Sequence, residues 1–170
     1  DMNEAFSQSF TMKGVLYLMD GKTYRAVRKS SKNTAWEAVS VSGTAYVPTT
    51  TISAAPTGGG TSYEAVNLLT PKRINTFIGD GTATQFKLDA TDLDETAVTA
   101  EVNGSAVTVS AVNRSTGLVT LAAAPANGNG LANVSIAFAK TVSGYADKIN
   151  KCRFAGLYGG KNDTRVFLSR

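Results

Sequence analysis

The chain has 170 residues, of which 42% are apolar, so it is long enough to bury one hydrophobic core or two small ones. It contains no histidine and one cysteine, which excludes an internal disulfide, the Ser-His-Asp and Cys-His mechanisms, and the usual histidine-based metal sites. The net charge is +4, and because the basic residues are not clustered with aromatic residues in one stripe, nucleic acid is not expected as a partner.

The N-terminal segment predicts a β-hairpin followed by a further strand. In Gly14–Val27, Asp20-Gly21 separates two β-rich runs, which predicts a two-residue type I′ turn with positive φ at both central positions. Trp36 and the run Val39–Val41 predict another short strand.

Residues 48–72 predict an extended arm. The segment contains Pro48, Pro56 and three glycines at 58–60, which are typical of a linker or long surface loop. Its end carries apolar residues, Val66, Leu68 and Leu69, that have little to bury against locally. Because long loops are uncommon unless they are functional or docked, we expect the arm to dock on a neighbouring subunit or, alternatively, between the two halves of this chain.

From Ile74 the pattern changes to a β meander. Phe86 and Leu88 share one face of a predicted strand, Asn103-Gly104 predicts a second tight hairpin, and Val134, Ile136 and Phe138 alternate in a later strand. Five or six short strands at this spacing predict a small Ig-like β-sandwich. The C-terminal segment predicts another hairpin, with strands around Phe154 and at residues 164–169 and a turn at residues 158–163.

Charge divides the chain in the same way. Residues 1–75 carry net +3 and residues 141–170 carry net +4, whereas residues 76–140 carry net −3. We therefore predict an all-β protein in which a β-sandwich, residues 73–145, is inserted into an outer β-hairpin unit formed by residues 1–72 and 146–170. The start at Asp1 and the abrupt end also lead us to expect a piece of a longer polypeptide.

Two loops are candidate ligand-binding sites. Gly79-Asp80-Gly81-Thr82 could form a phosphate-binding nest, but no lysine and no helix follows it, so a tight turn is favoured. Several carboxylates in seven residues could bind calcium, although their spacing does not match an EF-hand and a solvated loop is the simpler interpretation. These carboxylates belong to Asp89, Asp92, Asp94 and Glu95. Cys152, in an alternating apolar context, is expected to be a buried structural thiol.

The remaining candidates are aromatic and basic side chains. Tyr17, Tyr24, Trp36, Tyr46 and Tyr63 could form a sugar-binding platform, or they could pack in strands. Arg25, Arg28, Lys29 and Lys32 could contact an acidic partner or could form a solvated rim. The sequence assigns no catalytic, cofactor-binding or metal-binding residue, and the candidate interaction residues are Val66, Leu68, Leu69, Trp36, Tyr63, Arg25 and Arg28.

A family resemblance rests on the order of several motifs. "GVLYLMDGKTYRAV", "PTGGGTSYEAVNLL", "FIGDGTATQFKLD", "EVNGSAV", "TGLVTLAAAPANG" and "CRFAGLYGGKNDTRVFLS" together resemble tail- or neck-associated virion proteins of siphophages and prophages of Gram-positive bacteria. In such proteins a propeller-like or repeat β unit is interrupted by a small β-sandwich, so the resemblance implies that the outer unit, residues 1–72 and 146–170, is part of a propeller-like or repeat segment.

The resemblance implies a structural role in the phage particle. It implies no enzymatic activity and no cofactor, and its expected partners are other virion proteins and further copies of the chain. Assembly would take place in the bacterial cytoplasm. No stretch approaches about 18 consecutive apolar residues, so no membrane segment is expected.

Two alternatives to the structural role stay open. A carbohydrate-binding or adhesion module on a phage or cell surface would take a glycan. An enzyme is the third interpretation, since an Asp/Glu pair could hydrolyse glycosides, but no two carboxylates can be assigned to opposite sides of a cleft.

Overall fold

The computed structural model describes residues 6–32, 34–159 and 165–170. Among these residues, strands account for 45% and helices for 5%, and the strands form several sheets, none of which is closed. The prediction of an all-β chain is therefore confirmed. The chain divides into two compact units, the first comprising residues 1–46, 68–70 and 143–170 and the second comprising residues 47–67 and 71–142.

The first unit contains a four-stranded antiparallel sheet in chain order: β1 (Gln8–Met12), β2 (Val15–Met19), β3 (Tyr24–Lys29) and β4 (Trp36–Ser40). A short helix, α1 (Val41–Thr44), follows directly. The predicted hairpin is present as β2–β3, but its turn is not the predicted two-residue turn. Met19 pairs with Tyr24, so the connection has four residues, and the buried Asp20 carboxylate accepts the N–H groups of Lys22 and Thr23 at 2.9 and 2.5 Å. Hydrogen bonds to the Asp20 carboxylate therefore stabilise a four-residue turn, in place of a type I′ turn, which would require a positive φ at its first central residue.

The second layer of the first unit comes from the C-terminal segment. It consists of α2 (Asp147–Asn150), β14 (Phe154–Tyr158) and β15 (Arg165–Ser169). The two strands pair antiparallel, as predicted, although most of their turn lies outside the described residues. Cys152 is buried in the core of this unit, as expected, together with Phe10, Met19, Tyr24 and Ala26.

The second unit contains two sheets that share one core. Its strands are β5 (Thr49–Ala54), β6 (Thr61–Ser62), β7 (Lys72–Phe77), β8 (Gln85–Lys87), β9 (Thr99–Val102), β10 (Ser105–Val107), β11 (Val109–Asn113), β12 (Leu118–Leu121) and β13 (Val134–Ala139). The six-stranded sheet has the order β10-β9-β13-β7-β5-β6, and the three-stranded sheet has the order β11-β12-β8. Phe77 of the first sheet and Phe86 of the second are fully buried and meet edge to face, with ring centroids 5.3 Å apart.

The segment predicted as an arm differs most from expectation. Residues 47–67 belong to the second unit, where β5 runs parallel to β7 and antiparallel to β6. The chain returns from β5 to β6 through Gly60, which has φ of +86° and lies so close to Ala54 that a Cβ there would be 2.8 Å from its Cα. Only Leu68–Thr70 of the predicted arm is assigned to the first unit.

A polar network holds β5 in its place. The Asp89 carboxylate accepts the hydroxyl groups of Thr50 and Thr51 at 2.6 and 2.7 Å. Asn75, on β7, donates to the Thr50 hydroxyl at 3.0 Å and accepts the N–H of Asp89 at 3.0 Å. Because these bonds join residues distant in sequence, they could not be predicted from the local pattern of threonines.

Candidate interaction surfaces

The sheet β1–β4 presents an apolar surface on the side opposite its core. Strand alternation directs Phe10, Tyr17 and Ala26 into the core, so the cross-strand row Leu16, Val27 and Ala38 lies on the other side. We call this side the outer face. Its apolar residues are Leu16, Leu18, Val27, Trp36 and Ala38, and its polar residues are Ser9, Thr11, Arg25, Lys29 and Ser40. Leu16 is 37% exposed and Trp36 is 67% exposed, so an apolar strip with a tryptophan at its edge is open to solvent.

The hairpin β14–β15 presents a second apolar surface. Phe154, Tyr158 and Phe167 lie on one side of the hairpin and are each more than half exposed. The rings of Tyr158 and Phe167 pack edge to face at 5.7 Å, and the Arg165 guanidinium lies 5.5 Å from the Tyr158 ring centroid. We call this set, Phe154, Tyr158, Arg165 and Phe167, the aromatic face.

The candidate interaction residues Trp36, Arg25 and Arg28 lie on two different sides of the β1–β4 sheet. Trp36 and Arg25 both lie on the outer face, as part of one surface. Arg28 lies on the opposite side of the same sheet, where its guanidinium forms an ion pair with Glu37 at 2.9 Å. Arg28 is therefore engaged within the sheet, and it does not extend the surface formed by Trp36 and Arg25.

The candidates from residues 63–69 do not form a single apolar end. Leu69 packs against the core of the first unit, whereas Val66 and Leu68 are half-buried. Tyr63, in the second unit, is 62% exposed, and its N–H donates to the Thr50 carbonyl. Leu69 thus has a structural role, and Tyr63 is the most exposed of this group.

Two residues of the proposed sugar-binding platform, Tyr17 and Tyr24, belong to the core region of the first unit. Phe10, Tyr17 and Tyr24 pack together, with centroids of Phe10 and Tyr17 stacked at 5.0 Å and those of Tyr17 and Tyr24 5.9 Å apart. Burial, with nearby Tyr17 adding to it, raises the pKa of Tyr24 to about 12. Tyr17 and Tyr24 therefore stabilise the first unit, and they are not among the aromatic residues that face solvent.

Sequence reasoning missed the aromatic face. The signal was available, because "FAGLY" and "RVFLS" carry apolar residues at both alternating sets of positions. Ala155 and Leu168 face the core, while Phe154 and Phe167 face away from it. A strand that is apolar on both sides is typical of strands covered on both sides.

The Gly79–Thr82 loop has the geometry of a capped turn. The Asp80 carboxylate accepts the N–H groups of Ala83 and Thr82 at 2.7 and 2.8 Å, which lowers the pKa of Asp80. These N–H groups are therefore occupied, and a phosphate would meet a carboxylate instead of free donors. The loop borders a groove of about 820 Å³ that is lined by no aromatic side chain.

The four neighbouring carboxylates do not converge on one point. Asp89 accepts the two threonine hydroxyls already described, Asp94 accepts the N–H and hydroxyl of Thr141 at 2.9 and 2.7 Å, and Glu95 pairs with Arg114 at 3.0 Å. Across residues 6–32, 34–159 and 165–170, no group of three or more acidic, histidine or cysteine side chains is placed to hold a metal ion.

Comparisons with known proteins identify no relative. No family model, no curated protein and no solved structure matches the chain. In the part of the chain that the structure describes, no helix has the length and apolar character needed to span a membrane. The outer face and the aromatic face are therefore the features from which a function can be argued.

Proposed function

We propose that this chain is a structural component of a phage or prophage particle, a tail- or neck-associated virion protein that acts through protein–protein assembly. The observation that carries the proposal is the apolar character of both outward sides of the first unit. Its two layers share a core, yet the outer face and the aromatic face both direct large apolar side chains to solvent.

Such surfaces favour association on physical grounds. Contiguous exposed apolar patches on a folded domain mark interaction sites, and Trp, Tyr and Arg are the residues that contribute most often to interface hot spots. Burial of a fully exposed Phe or Leu side chain is favourable by about 1.5–3 kcal/mol before the entropic cost of association, and a side chain that is already partly buried gains correspondingly less. The outer face and the aromatic face each offer several such side chains, together with Arg25 or Arg165.

The finer architecture belongs to the same proposal. The four-stranded sheet β1–β4 resembles one blade of a β-propeller, and the hairpin β14–β15 contributes side chains to its core. The second unit, with two sheets around one core, is proposed to be an Ig-like sandwich inserted into this propeller-like unit. The order of segments along the chain supports this proposal, because the first unit is built from segments that precede and follow the second unit in the sequence.

A carbohydrate-binding module is the second candidate, and the exposure of Trp36 is the observation that favours it. An indole ring that is 67% exposed at the edge of a sheet could stack on a sugar. The groove beside Asp80 adds no support because it has no aromatic lining. Glycan-array binding that is lost in Trp36→Ala would favour this candidate over the structural role.

The test is the presence of the protein in particles. Phage particles from a bacterium that encodes the chain are purified on a density gradient, analysed by mass spectrometry and labelled with a specific antibody for electron microscopy. We expect the protein to copurify in fixed ratio with the major capsid protein, and the label to lie at the tail or neck. Absence from particles in which the capsid protein is detected would refute the proposal.

A further inference from the structure

Among the described residues, one edge of the hairpin β14–β15 is bonded to Gln8, and the other edge, which we call the open edge, has no strand neighbour. At the first edge, the Gln8 side chain binds both backbone groups of Ala155: its Oε1 accepts the Ala155 N–H at 2.6 Å, and its Nε2 donates to the Ala155 carbonyl at 3.3 Å. On the other side, β15 has no strand neighbour other than β14 among the described residues. Two-stranded ribbons are marginal in water, and an unpaired edge is a template for another strand.

The orientation of Ala155 determines which groups of β15 are open. Ala155 pairs with Leu168, and the backbone groups of Ala155 point away from β15 toward Gln8. In an antiparallel ladder, such a pair is a non-hydrogen-bonded pair, so the N–H and C=O of Leu168 also point outward. Two residues away, Val166 has the same orientation. The open edge therefore offers two donors and two acceptors, from Val166 and Leu168.

The open edge lacks the usual protection against pairing. Natural edge strands are blocked by lysine, proline, bulges or inward-pointing charges. β15 contains no lysine or proline, its ladder with β14 has no bulge, and its single charged residue is Arg165, at the first position. The side chain of Phe167, at the centre of the strand, is 58% exposed on the aromatic face.

We propose that β15 pairs antiparallel with β15 of a second copy of this chain, so that two hairpins form one four-stranded sheet. A two-fold axis at Phe167 places all five residues of β15 opposite residues of the second copy. Val166 then lies opposite Leu168 of the second copy, and the outward groups of both residues form four hydrogen bonds across the axis. The resulting sheet has the same number of strands as β1–β4.

The side chains are compatible with this register. Phe167 lies opposite Phe167 of the second copy, in a non-hydrogen-bonded pair where the side chains are closest, and aromatic pairs at such positions are stabilising. Arg165 lies opposite Ser169, so no like charges meet. The aromatic faces of the two copies become one continuous surface. This inference deepens the proposed function and rests on it, because it names the partner and the mode of assembly.

Cross-linking tests the register. In the wild-type chain the only cysteine is Cys152, which is buried, so wild type is the background control. Under mild oxidation we expect Phe167→Cys to form a disulfide-linked homodimer. We expect Arg165→Cys mixed with Ser169→Cys to form a heterodimer while neither variant cross-links efficiently alone, because opposite residues have Cα separations that a disulfide spans. Trp36→Cys, an exposed position in another sheet, serves as the negative control.

Analytical ultracentrifugation of the full chain tests the energetics. We expect wild type to be dimeric, and Phe167→Lys and Phe167→Glu each to raise the dimer Kd by about tenfold or more, because like charges would lie directly opposite. A mixture of the two variants restores the dimer, since the charges are then opposite in sign. Phe154→Lys, on the same face but on β14 and away from the axis, is the matched control and changes the Kd less than about threefold. Circular dichroism establishes that each variant is folded.

The outcomes separate this inference from the proposed function. A monomeric wild type, a dimer unaffected by Phe167→Lys, or cross-linking at Trp36→Cys equal to that at Phe167→Cys would overturn the β15 pairing. If the protein is then still found in particles, the proposed function stands without the pairing. If the dimer forms as described and the protein is absent from particles, the pairing stands and the proposed function fails.

Discussion

Substitution of Asn75 by alanine tests whether the polar network holds β5 in the sheet. Asn75 is 1% exposed. Its Nδ2 donates to the Thr50 hydroxyl at 3.0 Å and to the Ile74 carbonyl at 3.1 Å, and its Oδ1 accepts the Asp89 N–H at 3.0 Å. Asn75→Ala removes all three bonds without a steric clash.

The expected cost follows from counting these bonds. Each hydrogen bond contributes about 1 kcal/mol net, so three correspond to about 3 kcal/mol. Asp89 is exposed, so water can replace its lost partner and the expected loss falls to about 2 kcal/mol. The loss should be local, because Thr50 keeps its bond to Asp89 and the apolar core of the unit is untouched.

Two measurements test this prediction. Urea unfolding followed by far-ultraviolet circular dichroism measures the free energy of unfolding, and hydrogen exchange with mass spectrometry measures protection of residues 49–54. We expect lower stability together with faster exchange in β5. Thr76→Ala is the matched control, since Thr76 is adjacent on β7 and makes a single bond, from the Ser53 N–H at 3.3 Å. A loss below about 0.5 kcal/mol, or equal exchange in both variants, would refute the reasoning.

Three further predictions concern the cores and the outer face. Phe77→Ala, which empties a fully buried position against Phe86, should lower stability by about 3–5 kcal/mol in thermal or urea unfolding, whereas a loss under 1 kcal/mol would mean that the two sheets do not share this core. Folding raises the pKa of Tyr24 from 10.0 to about 12, so its contribution to stability is complete below pH 10 and is lost as the pH rises through 12. Tyr24→Phe should remove that part of the pH dependence, and an unchanged alkaline profile would contradict it. Leu16→Lys should reduce incorporation into particles by about tenfold, equivalent to about 1.4 kcal/mol, while Ala106→Lys, at an exposed position of the second unit, should incorporate normally; equal incorporation would argue against the outer face as an interface.

Local sequence was sufficient where turn chemistry and alternation act within a few residues. Asn103 and Gly104 adopt φ of 50° and 77° in a two-residue connection between β9 and β10, as their sequence predicts. Asp20-Gly21 correctly indicated a hairpin, but its length depended on hydrogen bonds from Lys22 and Thr23 to the Asp20 carboxylate. The alternation of Val134, Ile136 and Phe138 correctly indicated a strand with one buried side.

Tertiary structure decided the features that depend on distant residues. The sequence by itself determined that the chain is all-β and where most of its strands lie, because periodicity and turn residues act locally. It did not determine that Thr49–Ala54 would run parallel to β7, since the bonds that hold this strand come from Asn75 and Asp89. It also did not determine which apolar side chains would remain exposed. Phe167 and Leu168 are adjacent in a strand that is apolar at both positions, and only the packing of the first unit turns Leu168 inward and leaves Phe167 at the surface.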